Sequence, residues 1–171
     1  MSAYRKLVGR YMDYCVRFAE RMLGNRSDAE DVTQEVCLKI WRESAKWQPQ
    51  AKFSTWLYRV MFNACIDHKR RVVPFSVGDL IETADTSSNP EETLREKESA
   101  KRVISALQKL PERQRAAVVL SYYEEIKNQQ AADVMEIDLG AFQSLLFRAR
   151  QNLKEELIGI ETEEENGQKT R

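Results

Sequence analysis

Apolar residues recur at steps of three and four along most of this chain, and this spacing constrains the fold more than any other sequence feature. The first stripe consists of Tyr4, Leu7, Val8, Tyr11, Cys15, Phe18, Ala19 and Met22. Residues at these spacings lie on one face of an α-helix. Gly and Pro, which interrupt helices, number only 6 and 4 among 171 residues. The sequence therefore predicts an all-α protein.

Breaks between the stripes divide the first 71 residues into three predicted helices. Gly24-Asn25 should end the first helix, because Gly and Asn readily adopt the left-handed conformation of a C-cap. The segment Ser27–Glu30 has capping-box spacing, so a second helix is predicted to begin there. That helix should end near Pro49, and a third is predicted over 53–71.

A change in composition after residue 71 predicts a boundary between two small domains. Residues 72–98 contain 7 acidic and 2 basic residues together with several turn formers, which is typical of a solvated spacer. We place the first domain at 1–72, a flexible acidic linker at 73–95, the second domain at 96–158 and a charged tail at 159–171.

The second domain carries the pattern of a helix-turn-helix. A helix is predicted to begin near Glu91, and Pro111 should be the first residue of the next one. A short apolar stripe over 129–136, a tight turn and a longer stripe over 142–157 then follow. The tail should be disordered or loosely helical.

Charge is segregated along the chain although the formal net charge is zero. Residues 1–71 hold 14 basic and 8 acidic residues, a balance of +6, whereas residues 99–158 hold 9 and 8, a balance of +1. The basic first domain is compatible with a nucleic-acid partner. The second domain should bind DNA only weakly by itself.

Several classes of function are disfavoured by what the sequence contains. Cys15, Cys37 and Cys65 are far apart, and His68 is the single histidine, so we expect buried thiols and no metal or cofactor. With no Gly-rich phosphate loop or nucleophile motif, an enzyme is disfavoured. No apolar run reaches the ~20 residues of a membrane span, and residues 1–10 lack a signal-peptide core, which predicts a cytoplasmic protein.

Four segments resemble, in the same order, those of extracytoplasmic-function sigma factors, a group of the sigma-70 family of bacterial RNA polymerase subunits. Residues 28–41 resemble the polymerase-binding helix, and 53–63 resemble the start of the promoter-melting helix. Residues 110–115 are similar to the beginning of the second domain, and 142–153 to the terminal recognition helix. No one segment would suffice, but four in order are specific.

For the first domain, a bundle of three or four helices known as region 2, the resemblance implies two interactions. It would bind the clamp helices of the largest polymerase subunit through Asp28, Asp31, Gln34, Glu35 and Lys39, opposite the apolar stripe of Val32, Val36 and Ile40. It would also capture the −10 promoter element as single-stranded DNA, with Trp47 and Asn63 lining the pocket of a flipped base. Lys69, Arg70 and Arg71 would contact phosphates of the adjoining duplex. Of these, Asn63 offers both a donor and an acceptor to a base edge.

For the second domain, known as region 4, the resemblance implies docking on the flap of the other large subunit and recognition of the −35 element as duplex. The residues implied are Gln143, Ser144, Phe147 and Arg148. Gln can pair with adenine, Arg with guanine, and Phe can contact a thymine methyl group. Gln143, Leu145 and Glu136 depart from the basic or small residues common in the family. The resemblance also implies an anti-sigma factor that holds both domains.

Structural alternatives accompany each of these assignments. The polar face of the second helix could simply be solvated, and the cations at 69–71 could complement the helix dipole. Trp47 could be a packing lid, and Trp56, Leu57, Val60 and Ala64 are expected in the core rather than on DNA. Two other functions also fit the pattern: an autonomous helix-turn-helix regulator, which would bind palindromic operators as a dimer, and a helical adaptor that binds only protein.

Overall fold

The computed structural model describes residues 2–43, 52–72 and 92–168, and every regular element in these ranges is helical. The helices are α1 (Ser2–Leu23), α2 (Arg26–Glu43), α3 (Phe53–Val72), α4 (Glu92–Lys109), α5 (Glu112–Val118), α6 (Asn128–Met135) and α7 (Leu139–Gln168). A π-helical turn, Val119–Tyr123, continues α5. The prediction of an all-α fold is confirmed.

The first three helices pack against one another and form the first domain. The apolar stripe of α1 is buried from Cys15 onwards, and Phe18 is completely inaccessible to solvent. It meets Val32 and Val36 of α2 and Met61 of α3, which are also buried. Because a fully buried side chain of this size contributes ~1.5–3 kcal/mol, these contacts account for the association of the three helices.

The junction between α1 and α2 is confirmed as a break, but its cap differs from the prediction. Gly24 has φ +90°, the left-handed conformation that Gly adopts most easily. The N-cap of α2 is Asn25, whose Oδ1 accepts a hydrogen bond from the backbone N–H of Asp28 at 2.8 Å, while its Nδ2 donates to Asp28 Oδ2 at 2.7 Å. Ser27 lies inside the helix, so the capping box expected at Ser27–Glu30 is wrong by two residues.

Helices α4 to α7 form the second domain, with α7 packed against α4, α5 and α6. α4 begins at Glu92, as the sequence predicted within one residue. Pro111 has φ −52° and ψ 141°, which makes it the N-cap of α5 and not its first helical residue. The backbone of α7 is helical to Gln168, which agrees with the loosely helical alternative for the tail.

The predicted helix-turn-helix is formed by α6 and α7. Glu136 follows α6 in the left-handed conformation, with φ 55° and ψ 44°. Asp138 Oδ1 then accepts a hydrogen bond from the backbone N–H of Ala141 at 2.8 Å and so caps the start of α7. The tight turn therefore consists of a strained residue followed by a helix cap.

The two domains pack directly on each other. α1 contacts α4, α5 and the π-helical turn, and α3 contacts α6, so the buried residues of both domains form one contiguous cluster.

Within the described ranges, no helix combines the length and the apolarity needed to cross a membrane. Predictions for Trp47 and for most of the linker fall on residues outside those ranges.

Candidate functional site

Helix α2 presents the predicted polymerase-binding face to solvent. Val32, Val36 and Ile40 are buried against the first domain, at 0%, 1% and 7% exposure. On the opposite side, the exposed or partly exposed side chains are those of Asp28, Asp31, Gln34, Glu35 and Lys39. The segregation of apolar and polar residues is thus as the spacing predicted, and the five polar side chains lie on one surface.

Two large apolar side chains on the same surface escaped the sequence reasoning. Leu38 is 53% exposed and Trp41 is 56% exposed. Leu38 follows Gln34 by four residues, so the two side chains are neighbours on the helix surface. The signal was present in the sequence, because neither Leu38 nor Trp41 falls on the buried stripe. Exposed apolar side chains rimmed by charges are typical of a protein-binding surface.

A cavity of about 550 Å³ opens between α2 and α3. Five of the predicted site residues line it, drawn from both proposed sets: Glu35, Lys39, Asn63, Arg70 and Arg71. Val36 and Val60 add apolar lining, and Asp67 is a second carboxylate besides Glu35. An open cavity with apolar lining, one amide, three cations and two carboxylates carries the kinds of group that hold an unstacked base and its phosphates.

Asn63 is exposed at this cavity although it follows the buried residues Met61 and Phe62 on α3. Its amide is therefore accessible from solvent and is not needed by the core. Arg71, about two turns further along α3, pairs with α2, since its Nη2 is 3.1 Å from Glu35 Oε2. This hydrogen bond raises the pKa of Arg71, so the guanidinium is fully charged beside the cavity.

Lys69 points away from this cavity and towards the second domain. Its Nζ donates a hydrogen bond to Gln108 Oε1 at 3.3 Å. Burial, followed by the nearby charge of Arg115, lowers the pKa of Lys69 to about 8. The three predicted phosphate contacts are therefore not equivalent, because Arg70 and Arg71 are exposed at the cavity whereas Lys69 is engaged within the protein.

In the helix-turn-helix, the predicted DNA-reading residues share one exposed face of α7. Gln143, Ser144 and Arg148 are exposed, and Phe147 is 62% exposed. Within the apolar stripe predicted over 142–157, the buried side chains include Phe142, Leu146 and Ala149. The Phe147 ring is therefore accessible on the same face as the three polar side chains.

Arg150 has a partner that the sequence did not predict. Its guanidinium carbon lies 5.4 Å from the centre of the Tyr122 ring, a cation–π contact. Tyr122 belongs to the π-helical turn that continues α5, so this contact links α7 to the end of α5.

The cysteines have the inert character expected of buried thiols. Cys15 and Cys65 are buried and Cys37 is half-buried, and none of the three forms a disulfide bond. Burial raises the pKa of Cys15 and of Cys65 to about 12, so both thiols stay protonated at neutral pH. Among the residues that the structure describes, no group of His, Cys, Asp and Glu side chains could hold a metal ion.

The chain is similar to known sequences over both of its domains. The family models for sigma-70 region 2 and sigma-70 region 4 match residues 7–73 and 100–153. The chain is 32% identical over 161 residues to the ECF RNA polymerase sigma factor SigE of Mycolicibacterium smegmatis, covering 92% of this chain but only 62% of that relative. It is 29% identical over 168 residues to the ECF RNA polymerase sigma factor SigW of Bacillus subtilis, covering 91% of this chain and 89% of the relative.

Solved structures share the same fold. The sigma factor RpoE of Bartonella quintana, crystallised with the anti-sigma factor NepR, superposes with a TM-score of 0.75 at 22% identity, over 92% of this chain and 98% of that chain. CnrH in complex with the cytosolic domain of CnrY gives a TM-score of 0.69 at 22% identity, over 92% and 89%. With both sigma regions in their order and both helical domains in place, the chain belongs to the extracytoplasmic-function group of sigma-70 family sigma factors.

Proposed function

We propose that this chain directs transcription initiation by binding core RNA polymerase and recognising the −10 and −35 promoter elements. The first domain, residues 1–72, would seat on the polymerase and hold the −10 element, and the second domain, residues 96–158, would read the −35 element. Residues 73–95 would connect them. The protein would act with the polymerase in the cytoplasm, make or break no bond itself, and need no cofactor.

The observation that carries this proposal is the cavity between α2 and α3. It brings Asn63, Arg70 and Arg71 of α3 against Glu35 and Lys39 of α2. An unstacked base of the −10 element would enter it, with the Asn63 amide at a base edge and the arginines on adjoining phosphates. Because residues from both proposed sets line the same cavity, the arrangement suits a subunit that holds both partners together.

For the polymerase contact, the exposed surface of α2 offers apolar and charged groups side by side. Leu38 and Trp41 would form the apolar centre of the interface, since aromatic and aliphatic anchors contribute most of the binding energy at such surfaces. Asp31, Gln34 and Glu35 would form its polar rim. This extends the set implied by the resemblance, which contained only polar residues.

For the −35 contact, the exposed face of α7 would enter the major groove. Gln143 and Arg148 would read base edges, and the Phe147 ring would meet a thymine methyl group. The close balance of basic and acidic residues in this domain agrees with a reader that depends on the polymerase for much of its affinity.

An anti-sigma factor is the further partner we propose. RpoE was solved with the anti-sigma factor NepR, and its fold is that of this chain across both domains. A protein that covered the exposed surface of α2 would compete directly with the polymerase, and one that covered α7 would compete with DNA.

The test is reconstituted transcription with purified core polymerase on a promoter that carries both elements. The wild-type chain should bind core and form open complexes. Asn63→Ala should reduce open-complex formation about tenfold while leaving core binding unchanged, because a lost base contact is worth roughly 1–3 kcal/mol. Asn128→Ala, the same change at an exposed position of the other domain, is the matched control.

Two results would redirect the assignment. Equal losses of core binding and open-complex formation in Asn63→Ala would make Asn63 a structural residue. Tight binding of duplex DNA by the chain alone, as a dimer on a palindrome, would favour an autonomous regulator. For the −35 contact, Gln143→Ala and Arg148→Ala should alter base preference at that element, and an unchanged preference would remove both residues from the readout.

A further inference from the structure

The second half of α7 carries a charge pattern that is complementary to itself when two copies of the helix are antiparallel. Taken at steps of four and three, which keep residues on one face of a helix, the sequence reads Arg150, Lys154, Leu157, Glu161 and Glu164. The charge is thus positive before the central leucine and negative after it. We propose that two copies of this chain associate through residues 150–164, with their α7 helices antiparallel and crossing near Leu157. This inference goes beyond the proposed function and does not depend on it.

A groove of about 510 Å³ lies along this part of α7 and provides an apolar surface for the contact. One wall is α7, and the other is the end of α5 with the π-helical turn. Four large apolar side chains that line the groove are also 38–52% exposed, namely Tyr122, Tyr123, Leu157 and Ile158. Adjoining exposed apolar side chains of this size, beside charged groups, are typical of a surface that binds protein.

The π-helical turn shapes the groove with an unusual backbone. The N–H of Glu124 donates to the carbonyl of Val119 at 3.2 Å, five residues earlier instead of the four of an α-helix. Glu125 follows with φ 51°, a left-handed conformation that is unfavourable for a residue with a side chain. Isolated π-turns are frequent at functional sites, and this one leaves two consecutive tyrosines, Tyr122 and Tyr123, exposed beside α7.

The two cations of the groove are not neutralised by carboxylates of their own copy. The Arg150 guanidinium lies over the Tyr122 ring, and within the described part of the chain neither Arg150 nor Lys154 forms a salt bridge. The positions three and four residues away from each cation on α7 also contain no acidic residue, so no pair forms along the helix. A groove with apolar walls and two such cations is complementary to an acidic helix.

The chain contains an acidic helical segment directly after the groove. Residues 159–168 include four acidic and no basic residues, and the backbone of α7 is helical to Gln168. A single helix cannot pair Lys154 with Glu161, because they are seven residues or about 10 Å apart along its axis. In an antiparallel pair, positions equidistant from the crossing face each other, so Lys154 lies opposite Glu161, and Arg150 opposite Glu164, twice per dimer.

The size of the contact determines the expected affinity. Residues 150–164 span about 21 Å of helix, and the two Leu157 side chains would each enter the groove of the other copy beside Tyr122. An interface of this length is at the small, transient end of protein contacts. We therefore expect a dissociation constant of about 10–100 μM, so that the dimer forms only in concentrated solutions.

The test is sedimentation equilibrium of the full chain over about 5–500 μM. The weight-average mass of the wild type should rise from 19.9 kDa towards twice that value. Lys154→Glu and Glu161→Lys each turn two attractive pairs of the dimer into repulsive ones, so each should weaken association about tenfold or more. Lys101→Glu makes the same charge reversal at an exposed position of α4; it is the matched control and should associate as the wild type does.

Rescue distinguishes a direct contact from a general effect of charge. A 1:1 mixture of Lys154→Glu with Glu161→Lys restores opposite charges at both pairs, and so does the double variant Lys154→Glu/Glu161→Lys. Both should regain the wild-type dissociation constant within about threefold. In a parallel dimer, like charges would already face each other in the wild type, so the single reversals would not weaken it. Circular dichroism verifies that each variant keeps its helix content.

Three results would overturn the proposal: a wild type that stays monomeric over the whole range, single variants that associate as tightly as the wild type, or reversals that neither the mixture nor the double variant rescues. A monomeric wild type whose Lys154→Glu variant loses affinity for core polymerase would assign the groove to a polymerase segment instead. The mass measurements involve neither polymerase nor DNA, so they decide on self-association even if the proposed function fails.

Discussion

Replacing Arg115 should destabilise the protein more than any change at an exposed charge. The residue is 3% exposed, and its guanidinium donates to the backbone carbonyls of Met22, Leu107, Gln108 and Leu110 at 2.5 to 3.0 Å. Burial lowers the pKa of Arg115 to about 10, so the group is still charged at neutral pH. One side chain thus satisfies the last turns of two helices, α1 and α4, which the sequence separates widely.

The expected loss of stability in Arg115→Ala depends on the buried carbonyl groups that lose their hydrogen-bond donor. A single hydrogen bond to a charged group contributes ~1.5–3 kcal/mol, but bonds made by one side chain do not add independently. Removing one partner from a buried charged network typically costs ~3–5 kcal/mol, and we expect a loss in that range for Arg115→Ala. Arg115→Lys should recover little, because an ammonium group cannot reproduce the planar fork that reaches carbonyls on two helices.

The measurement is urea-induced unfolding followed by far-ultraviolet circular dichroism. Arg113→Ala is the matched control, since Arg113 is on the same helix, is exposed, and makes one long contact of 3.4 Å to the Met135 carbonyl. The control should change the free energy of unfolding by less than ~0.5 kcal/mol. If Arg115→Lys were as stable as the wild type, charge alone would be sufficient and the argument from geometry would be refuted.

Three other predictions concern the helix junction, the strained turn and the buried amine. Asn25→Ala should destabilise the protein by ~1 kcal/mol through loss of the α2 cap, and Ser27→Ala should have little effect. If urea unfolding showed Ser27→Ala to be the more destabilising change, Ser27 would be the N-cap, as the sequence predicted. Glu136→Gly should raise the melting temperature, because a left-handed conformation costs a non-glycine residue ~1–2 kcal/mol. The greater conformational entropy that Gly loses on folding offsets only ~0.5–1 kcal/mol of this gain. A lower melting temperature would contradict the presence of strain at Glu136. Burial lowers the pKa of Lys69 from 10.5 to about 8 in the folded protein, so between these pH values the folded state binds fewer protons than the unfolded state. The free energy of unfolding should therefore rise with pH across this window. Below pH 8 the amine is charged in both states, and the full cost of burying its charge remains. Partial exposure keeps the slope below about 1.4 kcal/mol per pH unit, and Lys69→Gln should show a smaller slope than the wild type, whereas equal slopes would assign the effect to other groups.

Periodicity was sufficient to predict most of the helices, because burial of an apolar face is what stabilises each one. The stripe of α1 and the core residues of α7 lie where spacing placed them. The cap of α2 could not be decided in the same way. Asn25 with Asp28 and Ser27 with Glu30 have the same spacing, and the left-handed turn at Gly24, together with the resulting packing of α2, selects the earlier pair.

For the candidate site, the sequence could predict which face of a helix is polar but not which faces meet. The pairing of Glu35 with Arg71 depends on how α2 and α3 cross, and the contact of Lys69 with Gln108 depends on how two domains dock. Both contacts are between residues far apart in the chain, so no local sequence pattern predicts them. Trp41 was different, since its position off the buried stripe was visible in the sequence.

The Glu35–Arg71 ion pair has a thermodynamic consequence for how the two macromolecular partners would influence each other. In the proposed complex, a polymerase group that recruits Glu35 leaves the Arg71 guanidinium uncompensated, and the electrostatic potential at the mouth of the cavity becomes more positive. Polymerase and promoter would then bind cooperatively, and linkage requires the effect to be equal in both directions. Water screens a pair between two exposed side chains, so this cooperativity would amount to at most a severalfold gain in affinity, abolished in Glu35→Gln.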